Sequence, residues 1–253
     1  MDFCKIQEAN NGRFSGVVDV DLDCARKGAS SIVSTPWMDV TEALPMSGAQ
    51  KQQNRKTGRA AWAARCSPTL HQALGSCHTV SRLQDQSLVG SHVDVSMFLA
   101  SGWSFDQADS ISCSPSSTSK FSKSQSSSSA SKNEDDSIRK MIPPAGFGHC
   151  PMTVVRQMDF CHRRMTSGCV VEMEVADQGQ YRVFVKGSYE KIGSLCKKET
   201  IPHDYVAQTE LWAKKQFYVL AIATKTIVLE EGQKLSDLTR DDLEEDLEFV
   251  GLL

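Results

Sequence analysis

Three short stretches hold the side chains with chemistry to offer. In Phe184-Val185-Lys186-Gly187-Ser188-Tyr189-Glu190 a lysine stands where a strand pattern ends. The glycine after it lets the backbone turn close to a ligand before a helix begins. An ammonium so placed meets a phosphate or the edge of a polar base, or it simply faces water. In Val155-Arg156-Gln157-Met158-Asp159-Phe160-Cys161-His162-Arg163-Arg164-Met165-Thr166 an aromatic ring ends a strand and basic residues follow. Phe160 there reads as a plate for a flat base with cations nearby to draw phosphates, or as a core residue. In Leu88-Val89-Gly90-Ser91-His92-Val93-Asp94 the carboxylate of Asp94 reads either as the acceptor of an exocyclic amine or as a helix cap.

The elements that must position these groups are legible in the apolar periodicity. Cys169 to Val175 alternates, with Val171, Met173 and Val175 on one face and Glu172 and Glu174 on the other, as in a half-buried strand. Asp177-Gln178-Gly179-Gln180 supplies turn chemistry, and Tyr181 to Lys186 returns as the second strand of an antiparallel hairpin. Thr153 to Phe160 reads as a strand before them. Ile192 and Leu195, three apart with Lys197 and Lys198 behind, predict a short helix. Asp204 is the expected N-cap of a helix through Lys215, followed by a buried strand over Phe217 to Ala223. Leu235 to Asp246 is acidic, partly helical, and expected to show water its charges. Glu248 to Leu253 reads as a strand whose apolar end implies a chain that once continued.

Composition excludes several classes. With 253 residues, 28 Lys and Arg against 31 Asp and Glu, and net charge −3, the chain is not built to coat nucleic acid or an anionic membrane. The longest apolar run, Phe217 to Ala223, is far short of the roughly 18 residues that cross a bilayer, and Met1 to Lys5 carries no secretory signal core. Nine scattered cysteines with no Cys-x-x-Cys pair support neither a disulfide framework nor a zinc site, so reduced thiols are expected. A metal enzyme built on His149-Cys150 and Cys161-His162 is disfavoured, because neighbours on a strand point to opposite faces. From Ser110 to Ser137 about half the residues are serine, a composition that cannot offset the entropy of ordering. Ser47 to Arg59 reads as a loop.

Taken in order, the three stretches resemble the nucleotide-binding domain of the P-type ATPases, nearest to the type-5 group (subgroup B), the cation- and polyamine-transporting pumps. Lys186 to Glu190 is similar to the family's Lys-Gly-Ser-Pro-Glu motif. Arg156 to Thr166 resembles its Arg-Gln-Phe-x-Phe-Ser-Ser stretch ending in Arg-Met-Ser. Cys77 to Trp103 resembles a Cys-His-Ser-Leu stretch, a Gly-Asp-Pro-Leu-Asp motif and then Met-Phe and Thr-Gly-Trp. Met1 to Gln7 and Phe249-Val250-Gly251 resemble the segments that enter and leave this domain. Ser91-His92-Val93 stands where the family has Asp-Pro-Leu, Tyr189 stands for its proline and Tyr218 for the arginine of its Gly-Phe-Arg-Val strand.

The resemblance implies an α+β fold, a twisted antiparallel sheet flanked by helices. Its halves would be residues 1–104 and 148–253, around a disordered Ser-rich insertion at 105–147. It implies that Phe160 stacks on adenine, that Lys186 lies beside the base and phosphates with Gly187 giving close approach, that Asp94 takes the adenine amine, and that Arg164 attends the phosphates. The cofactor implied is ATP, with magnesium arriving as its complex and no protein metal site. The implied partners are the phosphorylation and membrane domains of an intact pump. The implied place is the cytosolic face of an endolysosomal or other intracellular membrane, with no direct membrane contact by this chain. The family's phosphorylated Asp-Lys-Thr-Gly-Thr is missing, since Arg55-Lys56-Thr57-Gly58-Arg59 has arginine where the nucleophile belongs. The chain alone is therefore expected to bind without turnover. The alternative is a degenerate, non-catalytic domain kept as a protein-interaction module, with the serine segment as its contact.

Overall fold

The computed structural model describes residues 5–10, 12–14, 17–19, 66–83, 85–106, 138–146, 148–173 and 180–253. In chain order these give β1 (Lys5–Asn10), β2 (Arg13–Phe14), β3 (Val18–Asp19), α1 (Pro68–Ser76), β4 (Ser81–Arg82), β5 (Leu88–Val89), α2 (His92–Ser101) and β6 (Ser104–Phe105). There follow β7 (Arg139–Ile142), β8 (Met152–Cys161), β9 (Thr166–Met173), β10 (Gln180–Ser188), α3 (Tyr189–Leu195), α4 (Tyr205–Lys214), β11 (Leu220–Val228), α5 (Arg240–Glu244) and β12 (Glu248–Leu252). One sheet runs β2-β1-β12-β11-β10-β9-β8-β7-β6, with β3 beside β1, and β4 and β5 form a separate small hairpin. Every named strand pairing is antiparallel. This is the mostly antiparallel sheet with a few helices that the family resemblance implies.

The sheet buries both faces. On β10, Phe184 packs towards Leu70 and Leu74 of α1 and Met97 of α2. Val183 and Val185 pack the other way, towards Ile192 of α3, Tyr205 of α4 and Leu243 of α5. The half-buried expectation for the strand at 169–175 is corrected here. Val170 and Val171 are both fully buried because each face has its own helices. That strand also starts earlier, at Thr166.

Two further expectations change. The strand placed at Phe217 to Ala223 begins only at Leu220 and runs to Val228. Gln216 takes a left-handed conformation (φ 65°) and Phe217 N–H donates to the Trp212 carbonyl, so the first apolar residues finish the turn after α4. The acidic run is not simply a solvated face, since Leu243 and Glu244 of α5 are buried. Asp204 does precede α4, but its side chain makes no capping bond. The Ser-rich stretch Ser110–Ser137, the loop Ser47–Arg59 and the turn residues 177–179 lie outside the described residues. At the flanks of the expected insertion, Phe105 and Arg139–Ile142 stand in the sheet, where β6 pairs β7.

Candidate functional site

Lys186 enters the site from the middle of the sheet. On β10 it lies opposite Ser167 of β9 and Ile222 of β11. Strand alternation sends it to the same side as Phe184, the side covered by α1 and α2. There its ammonium donates to Asp94 Oδ1, and both side chains are almost wholly buried. Asp94 sits in the first turn of α2. The cap of that helix is Ser91, whose hydroxyl accepts from Asp94 N at 3.1 Å, so the Asp94 carboxylate is not the cap. It accepts instead from Lys186 and from Thr79 Oγ1 at 3.1 Å and Thr79 N at 3.4 Å. Burial pushes the Asp94 carboxyl up, but the Lys186 charge and these hydrogen bonds outweigh it and hold the group below the ordinary 3.8.

Phe160 stands at the end of β8, half exposed, with the ring of His162 edge-on at 5.0 Å. The β8–β9 register runs Met158↔Gly168 and then Cys161↔Thr166, so Asp159 and Phe160 together oppose Ser167, a β-bulge. Ser167 in turn opposes Lys186. Phe160 and Lys186 are therefore at one level of the sheet, two strand spacings or about 9–10 Å apart across β9. The structure brings Lys186 and Asp94 into direct contact and sets Phe160 at the same end.

Gly187 and Arg164 have structural duties there. A Cβ on Gly187 would drive into the backbone oxygen of Met165 and crowd Thr166. Close approach of two backbones thus explains this glycine without a ligand. Arg164 donates to Asp241 Oδ1 at 2.5 Å and to Glu244 Oε2 at 3.4 Å, which turns its charge towards α5.

Sequence reasoning missed the residues that brace the site. Arg139 is mostly buried and donates to Val80 O at 2.8 Å, to His78 O at 3.3 Å and to Gln157 Oε1 at 2.5 Å. Gln157 passes the brace on to Gly168 O at 3.0 Å. Arg156 donates to Leu238 O at 2.7 Å. Arg240 spans α5 and the β8–β9 turn. The one available signal was the pattern Thr239-Arg240-Asp241-Asp242, a capping box in which each end residue bonds the other's backbone. A cavity of about 450 Å³ lies elsewhere, lined by Lys5, Val93, Trp212, Phe217, Tyr218 and Leu253 among others, and takes in none of Phe160, Lys186 and Asp94. Among the described residues no group of three or more His, Cys, Asp or Glu could hold a metal, and no helix is long and apolar enough to cross a membrane.

Residues 150–253 match the family described as P-type ATPase, cytoplasmic domain N. On that match this part of the chain is similar to the P-type ATPase N domains. Phe160, Arg164, Lys186 and Gly187 all fall inside the matched segment, and Asp94 reaches into it from outside through Lys186.

Whole-chain comparison agrees. The chain is 29% identical over 185 residues to the polyamine-transporting ATPase 13A2 of Homo sapiens, covering 73% of this chain and 15% of that one. It is 27% identical over 187 residues to the probable cation-transporting ATPase 13A5 of Mus musculus, covering 72% and 14%. It is 28% identical over 186 residues to the probable cation-transporting ATPase catp-6 of Caenorhabditis elegans, covering 73% and 13%. The chain thus spans about one seventh of the length of the curated relatives it matches. In N-domain terms, the Lys-Gly glycine has a packing cause and the lysine is held by a carboxylate from the other half of the sequence.

Proposed function

We propose that this N domain binds ATP, with the purine against Phe160 and the Lys186–Asp94 pair forming the polar wall of the site. The observation that carries the reading is the level shared by Phe160 and Lys186 across β9, where an exposed ring stands near a buried ammonium and its carboxylate. An ammonium has three N–H groups and Asp94 takes one of them, which leaves the group chemically able to meet a base nitrogen or a phosphate oxygen. The aromatic face supplies dispersion and stacking, about 1–3 kcal/mol for a base on a ring. Magnesium arrives with the triphosphate.

In the longer protein the domain would present the terminal phosphate to an aspartate on a phosphorylation domain. The energy would drive cation or polyamine movement through membrane domains, with this domain on the cytosolic side of an intracellular membrane. The chain itself supplies binding and orientation only, because the family's phosphorylated motif is not in it. Arg164, tied to Asp241 and Glu244, shapes the turn and reaches phosphate only by leaving those carboxylates. The interaction-module alternative is motivated by the replacements at Ser91, Tyr189 and Tyr218, and its contact segment Ser110–Ser137 lies outside the described residues.

Calorimetric titration of ATP into the full chain, then into Phe160→Ala and Lys186→Glu, tests the proposal. Saturable binding that both variants weaken is expected. Equal binding by all three, or none by the unaltered chain, removes it.

A further inference from the structure

The ladder between β8 and β9 is interrupted twice, between Val154 and Arg156 and between Met158 and Cys161, and the Phe160 ring stands on the second of these stretches. Two residues, Asp159 and Phe160, oppose one, and beyond Cys161 the turn passes through Met165 in a left-handed conformation (φ 55°). An irregular strand end of this kind leaves carbonyl groups in need of donors. They are found on α5. The Arg240 guanidinium donates to Asp159 O at 2.8 Å on one arm of the turn and to Thr166 O at 2.9 Å on the other. Its remaining Nε–H donates to Glu244 Oε1 at 2.7 Å. Glu244 is buried and also accepts from Thr166 Oγ1 at 3.0 Å and Arg164 at 3.4 Å. On the opposite side Gly187 presses against Met165, whose carbonyl accepts from Ser188 N at 3.2 Å.

We infer that Arg240 is a positioning residue for nucleotide binding: held by Glu244, its fork grips both arms of the β8–β9 turn and fixes where the Phe160 ring stands. The fork geometry matters. A planar guanidinium reaches two carbonyls and a carboxylate at once with little rotamer freedom left to lose, whereas an ammonium is a point donor on a flexible stem. A ring held in place before the ligand arrives spares binding the cost of immobilising it. The inference rests on reading Phe160 as the base platform, and its test separates the two.

The full chain is prepared with 4-fluorophenylalanine at position 160, in the wild-type background and with Arg240→Ala, Arg240→Lys and Glu244→Gln. Circular dichroism selects variants that keep the native fold, and Arg240→Lys and Glu244→Gln carry the test if Arg240→Ala does not fold. The ¹⁹F resonance reads ring placement without any ligand, and ATP titration reads affinity. The resonance is expected to shift and broaden in all three variants, Lys failing to restore it, while ATP affinity falls about five- to tenfold, the scale of immobilising one side chain. An unmoved resonance in folded variants, or full restoration by Arg240→Lys, overturns the inference. A resonance that moves while ATP affinity is indifferent to both Arg240 and Phe160→Ala supports the grip on the turn and overturns the Phe160 platform.

Discussion

Asp94 holds the ammonium of Lys186 from ninety-two residues away in the sequence, and the pair ties α2 to β10. Replacing one member leaves the other buried and uncompensated. Lys186→Met should cost about 3–5 kcal/mol, while Lys186→Met with Asp94→Leu should recover most of it, because a buried pair exchanged whole for apolar groups is near neutral. Urea unfolding of the single and double variants gives both numbers. Additive losses would mean that the two side chains do not interact.

Phe160 is half exposed, so its truncation should leave stability within about 1 kcal/mol of the parent. The same change should weaken adenosine and ATP binding by about 1–3 kcal/mol if the ring stacks on the base. Inorganic triphosphate, which has no base, should not distinguish the variant. Calorimetry with the three ligands separates stacking from charge.

Gly187→Ala places a methyl group where Met165 presents a backbone oxygen, and neither strand can yield without moving the turn. A loss of about 1–3 kcal/mol is expected from overpacking, visible as a lowered melting temperature. Faster hydrogen exchange at Met165 and Ser188, whose amides bond within this junction, should accompany it. A variant as stable as the parent would show that the backbones part easily.

Two buried histidines set an acid limit. Burial first, and then the nearby Arg139, push His78 down to about 3; burial, with His149 adding to it, pushes His71 down to about 4. Both are neutral when folded and take up a proton near pH 6.5 when unfolded. Stability is therefore full above that pH and falls as pH drops from about 6.5 towards 4 for His71 and 3 for His78. Each contributes up to about 1.4 kcal/mol per pH unit. Asp94, held low, adds its own loss only below the ordinary carboxylate value of 3.8. Urea midpoints between pH 7 and 4 should show the slope, and His78→Asn should flatten it. Equal slopes would place the acid sensitivity elsewhere.

How much of this was legible follows from the range of each interaction. The strands β8, β9 and β10 were visible because each announces itself by local alternation, and Lys186 was visible because a lysine ending an apolar run is anomalous. The partner of that lysine was only half legible. In the sequence Asp94 reads as the acceptor of a ligand's amine or as a helix cap; Ser91 takes the cap, and only the long-range geometry shows Lys186 and Thr79 as partners of the carboxylate. The double burial of Val170 and Val171 was hidden because alternation assumes one wet face, and only the helices from both halves of the chain decide otherwise. Phe217 to Val219 misled because an apolar run is equally a turn packed under a helix, and nothing local shows that Gln216 adopts a left-handed conformation. Arg156 and Arg240 were invisible as braces, since a carbonyl offers no side-chain signature to match them with.

The strands β1 and β12, first and last in chain order among the described residues, lie side by side, Gln7 opposite Leu252 and Glu8 opposite Gly251, running in opposite directions. Tension applied at residues 5 and 253 would therefore load their hydrogen bonds one after another, as a zipper opens, and not all at once in shear. The sheet's interior would feel little of that load until this seam had parted.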